Sequence, residues 1–409
     1  MGSQAVIAVS NAARLIIIGR TLDAGEFGRF SIAFAAILGC QVLFLGLIHT
    51  PVASLAGTRK GLQLRKFVTV AVLESSIVAS MLCAILVAAG LVVASPVGKV
   101  LVAAAAVVGL STLRYVGYPL RYALLDFRST FILDCVWAGA QLIALVTVFF
   151  ALDHRTAVAA IGVMAIAEGI SLGGCVLLVR PYLAKPNNLS KEARDLWNFG
   201  KFSVTTSFGK YILRNSVVLI LGSVLSPARL AGFAASKNLV RLSEPMTFAL
   251  GNVLRSESAS LTSGATPGPE GLTRVRRTFV TGLILSAGAV VVIATFQRLG
   301  YDIVFAGRYG EYRGVLWILC AFGLLDSLSH LLVAMLDGAG SPDVVMRATV
   351  VSGIVGLMLI AALSHLFGVY GAAAALVASS TIYGALLLHY TIRHPVLQEI
   401  LVPRRIAGS

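Results

Sequence analysis

Charge is scarce in this sequence, and acid is scarcer still. Only 12% of the 409 residues are Asp, Glu, Lys or Arg, against 57% hydrophobic, and the mean hydropathy is +0.89. Soluble domains carry about twice that share of charge, so a soluble globular class is excluded. The 18 acids face 33 bases, a formal charge of +15. In a chain of long apolar runs that surplus belongs first to cytoplasmic connections, so no nucleic-acid partner is expected. Cysteine is sparse as well. Cys40, Cys83, Cys135, Cys175 and Cys320 all lie in apolar runs without metal-ligand spacing, so they read as small buried residues and no metal site is expected. The chain has no P-loop pattern and no HExxH, and its six histidines are scattered. No connection is long enough to hold a catalytic domain. An enzyme is not expected, nor a bound cofactor.

What the chain does have is apolar runs of membrane length. At about 20 residues per crossing, twelve helices are expected, near 3–20, 28–56, 67–94, 97–124, 130–152, 156–179, 201–225, 229–254, 278–305, 312–337, 343–367 and 369–391. The first contains Asn11 and Arg14 and lacks a basic leader, so it reads as a retained span rather than a signal peptide. The even-numbered connections and the C-terminus hold 18 Lys and Arg, the odd-numbered ones 8. That bias puts both termini in the cytoplasm of a multi-pass protein of the cell (inner) membrane.

The segment 180–200, with two prolines and an Asn pair, divides the spans six and six. An N-terminal lobe over 1–179, a cytoplasmic linker over 180–200 and a C-terminal lobe over 201–409 with a short tail are expected. The lobes resemble each other. GRTLDAGEFGRF (19–30) aligns with GSVLSPARLAGF (222–233), and ALLDFRS (123–129) with AMLDGAG (334–340). The fold class is therefore all-α and polytopic, two six-helix lobes related by an internal repeat, around a central cationic cavity.

The cavity is inferred from seven bases at membrane depth. They are Arg14, Arg114, Arg121, Lys210, Arg214, Lys237 and Arg241. Each would cost about 2.5–3.5 kcal/mol facing lipid at a helix centre, so they should face an aqueous interior. Ser203, Ser207, Lys210 and Arg214 fall on one helical face, and Lys237, Arg241 and Glu244 on another. The intramembrane acids are Glu74, Asp134, Glu168, Glu244 and Asp326, five against seven. The bland reading of such residues is ion pairing among themselves and snorkelling at helix ends; the sharper one is that the unmatched positive charge binds an anion. Arg adds bidentate recognition of phosphate oxygens. Asp326 and His330 stand at i and i+4, as a proton relay or a structural hydrogen bond would. Asp134, Glu168 and Glu244 are the other candidates for coupling or ion pairing.

The segment ARLIIIGRTLDAGEFGRFSIAFAAIL resembles the opening of prokaryotic Wzx-type polysaccharide flippases: a first helix, an L-x-x-x-x-F-G turn (Leu22–Gly28) and a second helix. Its cousin at Leu225–Phe233 opens the second half. The closing pair, with Gly368 and Gly371 ahead of the last helix, is similar to that family too. The resemblance implies the multidrug/oligosaccharidyl-lipid/polysaccharide exporter superfamily. It implies a flippase that carries a polyprenyl-pyrophosphate-linked oligosaccharide outward by alternating access, for exopolysaccharide, O-antigen or capsule (lipopolysaccharide-type) assembly. Membrane lipids and a polysaccharide polymerase or export machinery are the implied partners, and coupling to protons or sodium stays open. The alternative is a multidrug or cation efflux antiporter of the same superfamily. A major-facilitator-type carrier and a non-transporting scaffold are further alternatives; the 57–66 loop lacks the acid of the facilitator signature.

Overall fold

The computed structural model describes residues 2–56, 59–93, 95–123, 126–185, 189–262 and 269–401. These residues are overwhelmingly helical, with no strand among them. They form two compact units. Met1–Tyr211 and Ser226–Ala231 make one, and Ile212–Leu225 and Gly232–Ser409 the other.

The first unit opens with α1 (Gly2–Thr21) and α2 (Ala24–Phe44). Asp23 ends the turn between them and caps α2, accepting the Glu26 N–H at 2.8 Å. α2 runs through a π-helical stretch (Leu45–His49) into α3 (Thr50–Leu55), making one rod long and apolar enough to cross a membrane. α4 (Gly61–Val93) and α5 (Pro96–Arg114) form a hairpin. Ser95 stops the first and caps the second, with Pro96 at the position where a missing N–H does no harm. A turn at Tyr115–Val116 separates α5 from the short α6 (Gly117–Ala123), where one continuous helix over 97–124 was expected. α7 (Phe127–Val146) ends in a second π-helical stretch, Thr147–Ala151, and α8 (Ala157–Val179) is capped by Thr156. α5 lies between α2, α4 and α8, while α1 packs on α7. Phe44, Phe67, Leu120, Val179 and Leu196 lie in one core cluster.

α9 (Ser190–Val224) begins as the amphipathic segment expected near Lys191–Trp197 and continues without a break into the next span. It leaves the first unit at Tyr211, whose hydroxyl donates to the Ala35 carbonyl at 2.7 Å. The turn into α10 (Pro227–Val240) returns to that unit. There the carbonyl of Pro227 lies 1.8 Å from where a Cβ on Gly28 would stand, so only glycine fits at residue 28. α1 and α2 meet at Thr21–Ala24 and α9 and α10 at Val224–Pro227, each pair displaced by the 203 residues of the sequence repeat.

The second unit continues through α11 (Glu244–Thr262), α12 (Pro269–Thr295), α13 (Gln297–Phe305), α14 (Arg313–Gly338), α15 (Pro342–Arg393) and α16 (Gln398–Leu401). α14 packs against α11, α12 and α15 around Leu254, Phe279, Leu332, Met335 and Leu387. α15 bends at Gly368, whose φ of 58° and ψ of −134° suit only glycine, and so supplies two expected spans.

The bilayer is the solvent for this surface. On α4, Leu73, Ile77, Met81 and Ile85 form an exposed apolar stripe at helical spacing. Eight helical stretches among the described residues are long and apolar enough to cross a membrane, and the chain is a multi-pass membrane protein. The count falls short of twelve for two reasons. α15 holds two of the expected spans. The segments 3–20, 201–225 and 229–254 are helical but not among the eight: side chains in the first two lie outside the described residues, and the third is divided at Arg241–Ser243 between α10 and α11.

Candidate functional site

In the second unit, Arg214 on α9 reaches α14. Its Nε donates to Asp326 Oδ1 at 2.9 Å and its Nη2 to Oδ2, a bidentate grip. Glu244, the first residue of α11, lies 3.9 Å from Arg214 Nη2 and 3.5 Å from Arg241 Nε. Lys237 donates to the main-chain carbonyl of Arg214 and, at 3.4 Å, to Asn215 Oδ1. Arg241 reaches that same oxygen at 3.5 Å. Arg214 of the expected α9 stripe therefore meets Lys237, Arg241 and Glu244 of the other, with three bases facing two acids. The side chain of Lys210 lies outside the described residues.

Exposure decides what this group can do. The side chains of Arg214, Glu244 and Arg241 are 25–28% exposed and that of Asp326 is 16% exposed. Both contacts of Arg241 are 3.5 Å long, at the weak limit of hydrogen bonding, so its guanidinium is poorly held by protein. Phe248, one helical turn after Glu244, lies under Arg214 at 5.4 Å and edge-on to His330 at 4.5 Å. His330 therefore packs on an aromatic ring one turn from Asp326, whose carboxylate is taken by Arg214.

The first unit holds a different arrangement. Arg114 Nε pairs with Glu168 Oε2 at 2.7 Å, with only 3% and 4% of the two side chains exposed. Trp137 donates to Glu168 Oε1 at 3.0 Å. Arg114 also donates to Tyr118, which donates to Asp134 at 2.7 Å. Tyr115, Tyr118 and Trp137 surround the guanidinium at 4.7–5.2 Å. Arg14, over the Phe34 ring at 4.9 Å, adds its charge to the field on Glu168. This pair is closed to solvent, while the one in the second unit is open.

Arg121 belongs to a third setting. It binds Asp126 at 2.7 Å and the Leu178 carbonyl at 2.6 Å, at the joint between α6 and α7. Asp126 caps α7 through Ser129. Those hydrogen bonds from Ser129, and then Arg121, hold its carboxyl below the ordinary range.

Sequence reasoning missed Asn215, Phe248 and Trp137. Each stands one residue or one helical turn from a charged residue already singled out, which was the available signal. It also passed over Gly169-Ile170-Ser171-Leu172-Gly173, which has the spacing of a hydrolase nucleophile elbow. That string is regular helix inside α8 and Ser171 is fully buried, so no strand-to-helix elbow presents its hydroxyl. Among the described residues no group of His, Cys, Asp and Glu could hold a metal ion.

No family model matches the sequence. Over 208 residues the chain is 26% identical to the probable low-salt glycan biosynthesis flippase Agl15 of Haloferax volcanii, a match covering 51% of this chain and 43% of that relative. The match thus spans less than half the relative's length. Among solved structures, an inward-facing multidrug-resistance MATE transporter of the MOP superfamily superposes with a TM-score of 0.77 at 13% identity, over 99% of this chain and 96% of that one. The chain shares the fold of that transporter. The lipid II flippase MurJ, in an inward closed conformation, superposes with a TM-score of 0.69 at 10% identity, over 96% of this chain and 87% of its own. These similar proteins are described as transporters or flippases.

Proposed function

We propose that this MOP-fold protein is a flippase that moves a polyprenyl-pyrophosphate-linked oligosaccharide from the cytoplasmic to the outer face of the cell membrane. It serves exopolysaccharide, O-antigen or capsule assembly by alternating access. The observation that carries the reading is the group of the partly exposed Arg214 and Arg241 with the buried Lys237, three bases against Asp326 and Glu244. An excess of positive charge in a partly dry site favours an anion, and guanidinium favours phosphate oxygens. Arg14, Arg114, Arg121 and Lys210 complete the proposed set of bases, from direct contact to long-range field. An anion carried outward also gains about 2.3 kcal/mol per charge per 100 mV of interior-negative potential. The match to a glycan biosynthesis flippase supports the same substrate class. A proton or sodium ion would couple through Asp134, Glu168, Glu244, Asp326 or His330. The excess of Lys and Arg in the even-numbered connections supports cytoplasmic termini, and a polysaccharide polymerase or export complex is the proposed partner.

A drug or cation antiporter is the second reading. It is favoured by the TM-score of 0.77 to a multidrug transporter and by the buried carboxylates Asp134 and Glu168. Deleting the gene in its host separates the two. The flippase reading expects lipid-linked oligosaccharide to accumulate on the cytoplasmic face while surface polysaccharide falls. Sensitivity to cationic dyes without accumulation would establish the antiporter instead. In complementation, Arg214→Ala and Arg241→Ala are each expected to lower surface polysaccharide on the order of tenfold at unchanged protein level. Normal polysaccharide in both would remove them from the site.

A further inference from the structure

The Arg214–Asp326 pair differs from the bridge of the first unit in its exposure. Arg114–Glu168 is shut away, at 3% and 4%. Arg214–Asp326 is open to 25% and 16%. Asp326 presents two carboxylate oxygens to the Nε and Nη2 edge of the guanidinium. That is the same two-oxygen fork through which a phosphate binds arginine. The rest of the group holds Arg214 from behind, since Lys237 binds its main-chain carbonyl and Phe248 lies beneath its guanidinium. Phe248 is thus a contact of the guanidinium that does not depend on Asp326. Arg241, held by two contacts of 3.5 Å, stands by Asn215, the residue next to Arg214, with a weakly engaged second guanidinium.

We infer that Asp326 is a built-in stand-in for the substrate: its carboxylate occupies the guanidinium fork of Arg214 in the empty protein, and the pyrophosphate of a lipid-linked substrate displaces it. The inference rests on the anion-transport reading and assigns within it the residue that sets affinity. Exchange of one two-oxygen anion for another keeps Arg214 paired throughout, so no bare guanidinium is left at membrane depth. It also weakens net binding, because the substrate is bound only after Asp326 is released. A flippase needs such weakness to let its cargo go on the far side. Glu244 has a smaller part in the competition, being 3.9 Å from Arg214 and shared with Arg241.

The test is equilibrium binding of inorganic pyrophosphate and of farnesyl pyrophosphate to the full chain in detergent micelles. Asp326→Asn is expected to tighten both by tenfold or more over the unaltered protein. Glu244→Gln is expected to tighten them about threefold, and Asp326→Glu to leave them weak. In an Arg214→Ala background, Asp326→Asn is expected to change nothing, because the fork it vacates no longer exists. Binding to the unaltered protein that Asp326→Asn fails to tighten overturns the inference and leaves the anion-site reading standing. Tightening that persists without Arg214 also overturns it, since the effect would then be general field. No binding to any variant overturns both. Farnesyl pyrophosphate binding more tightly than the inorganic ion supports a lipid-linked source; equal affinity overturns that part. Should Asp326→Asn fail to fold, difference infrared spectra of the unaltered protein decide the matter. Addition of pyrophosphate is expected to shift an aspartate carboxylate band as Asp326 leaves the guanidinium, and an unchanged carboxylate region overturns the displacement.

Discussion

At the scale of residues, two arginine–carboxylate pairs differ in exposure. Glu168 is 4% exposed and answers the Arg114 charge in a dry setting of aromatic rings. Removing one partner of such a pair strands the other, at about 3–5 kcal/mol. Glu168→Gln should therefore lower thermal stability in detergent by about that much, with Asp343→Asn as the control. Asp343 pairs with Arg347 at 4.0 Å and both side chains are at least 60% exposed, so its loss should fall within about 0.5 kcal/mol of no effect. Equal melting temperatures for the two variants would mean that the Arg114–Glu168 pair is not formed in the folded protein. The residues of these pairs could be picked out of the sequence as charges in apolar runs. Their partners could not, since Arg214 and Asp326 are 112 positions apart and several pairings of bases with acids are electrostatically acceptable.

At the scale of elements, the two halves are marked by joints more than by helices. The α1–α2 and α9–α10 turns are displaced by the same 203 residues. The first is pinned against the second by the absence of a side chain at residue 28. Gly28→Ala would put a methyl group into the backbone of Pro227, where no flexible side chain can give way, and should sharply reduce folded yield in the membrane. Gly368→Ala is the contrasting case. The space around it is open, so the penalty is that of the backbone conformation alone, about 1–3 kcal/mol of stability. If Gly368→Ala proved harmless, α15 would not hold its bend in the folded state. The Gly368 bend was legible from the repeat of apolar residues on either side of a glycine. The turn after Arg114 was not, because Tyr115–Val116 contains neither Gly nor Pro and reads as continuous helix.

At the scale of the whole molecule, the distribution of Lys and Arg predicts a topology. Reporter fusions to the two termini should both show cytoplasmic activity, while fusions in the connection near Arg155 should report the outer side. A terminal fusion active outside would invert the proposed direction of transport along with the orientation. The membrane class followed from composition, because an apolar surface of this extent has no other solvent. The span count did not follow as surely. The segments of α1, α9 and α10 to α11, which carry Arg14, Arg214, Lys237 and Arg241, are helical but not among the eight apolar stretches.

The sequence by itself determined the class, the helical content, the doubled architecture and the set of charged residues that lipid would reject. Each is set by local chemistry: apolar length, caps, turn residues and the cost of charge in hydrocarbon. Only the tertiary structure decided which of those charges are spent on one another and which remain open. Five acids among seven bases admit many pairings, and the choice between a closed pair at Arg114–Glu168 and an open one at Arg214–Asp326 depends on what packs around each. Burial is a property of neighbours brought together from distant parts of the chain, and the spacing of residues along a helix does not contain it.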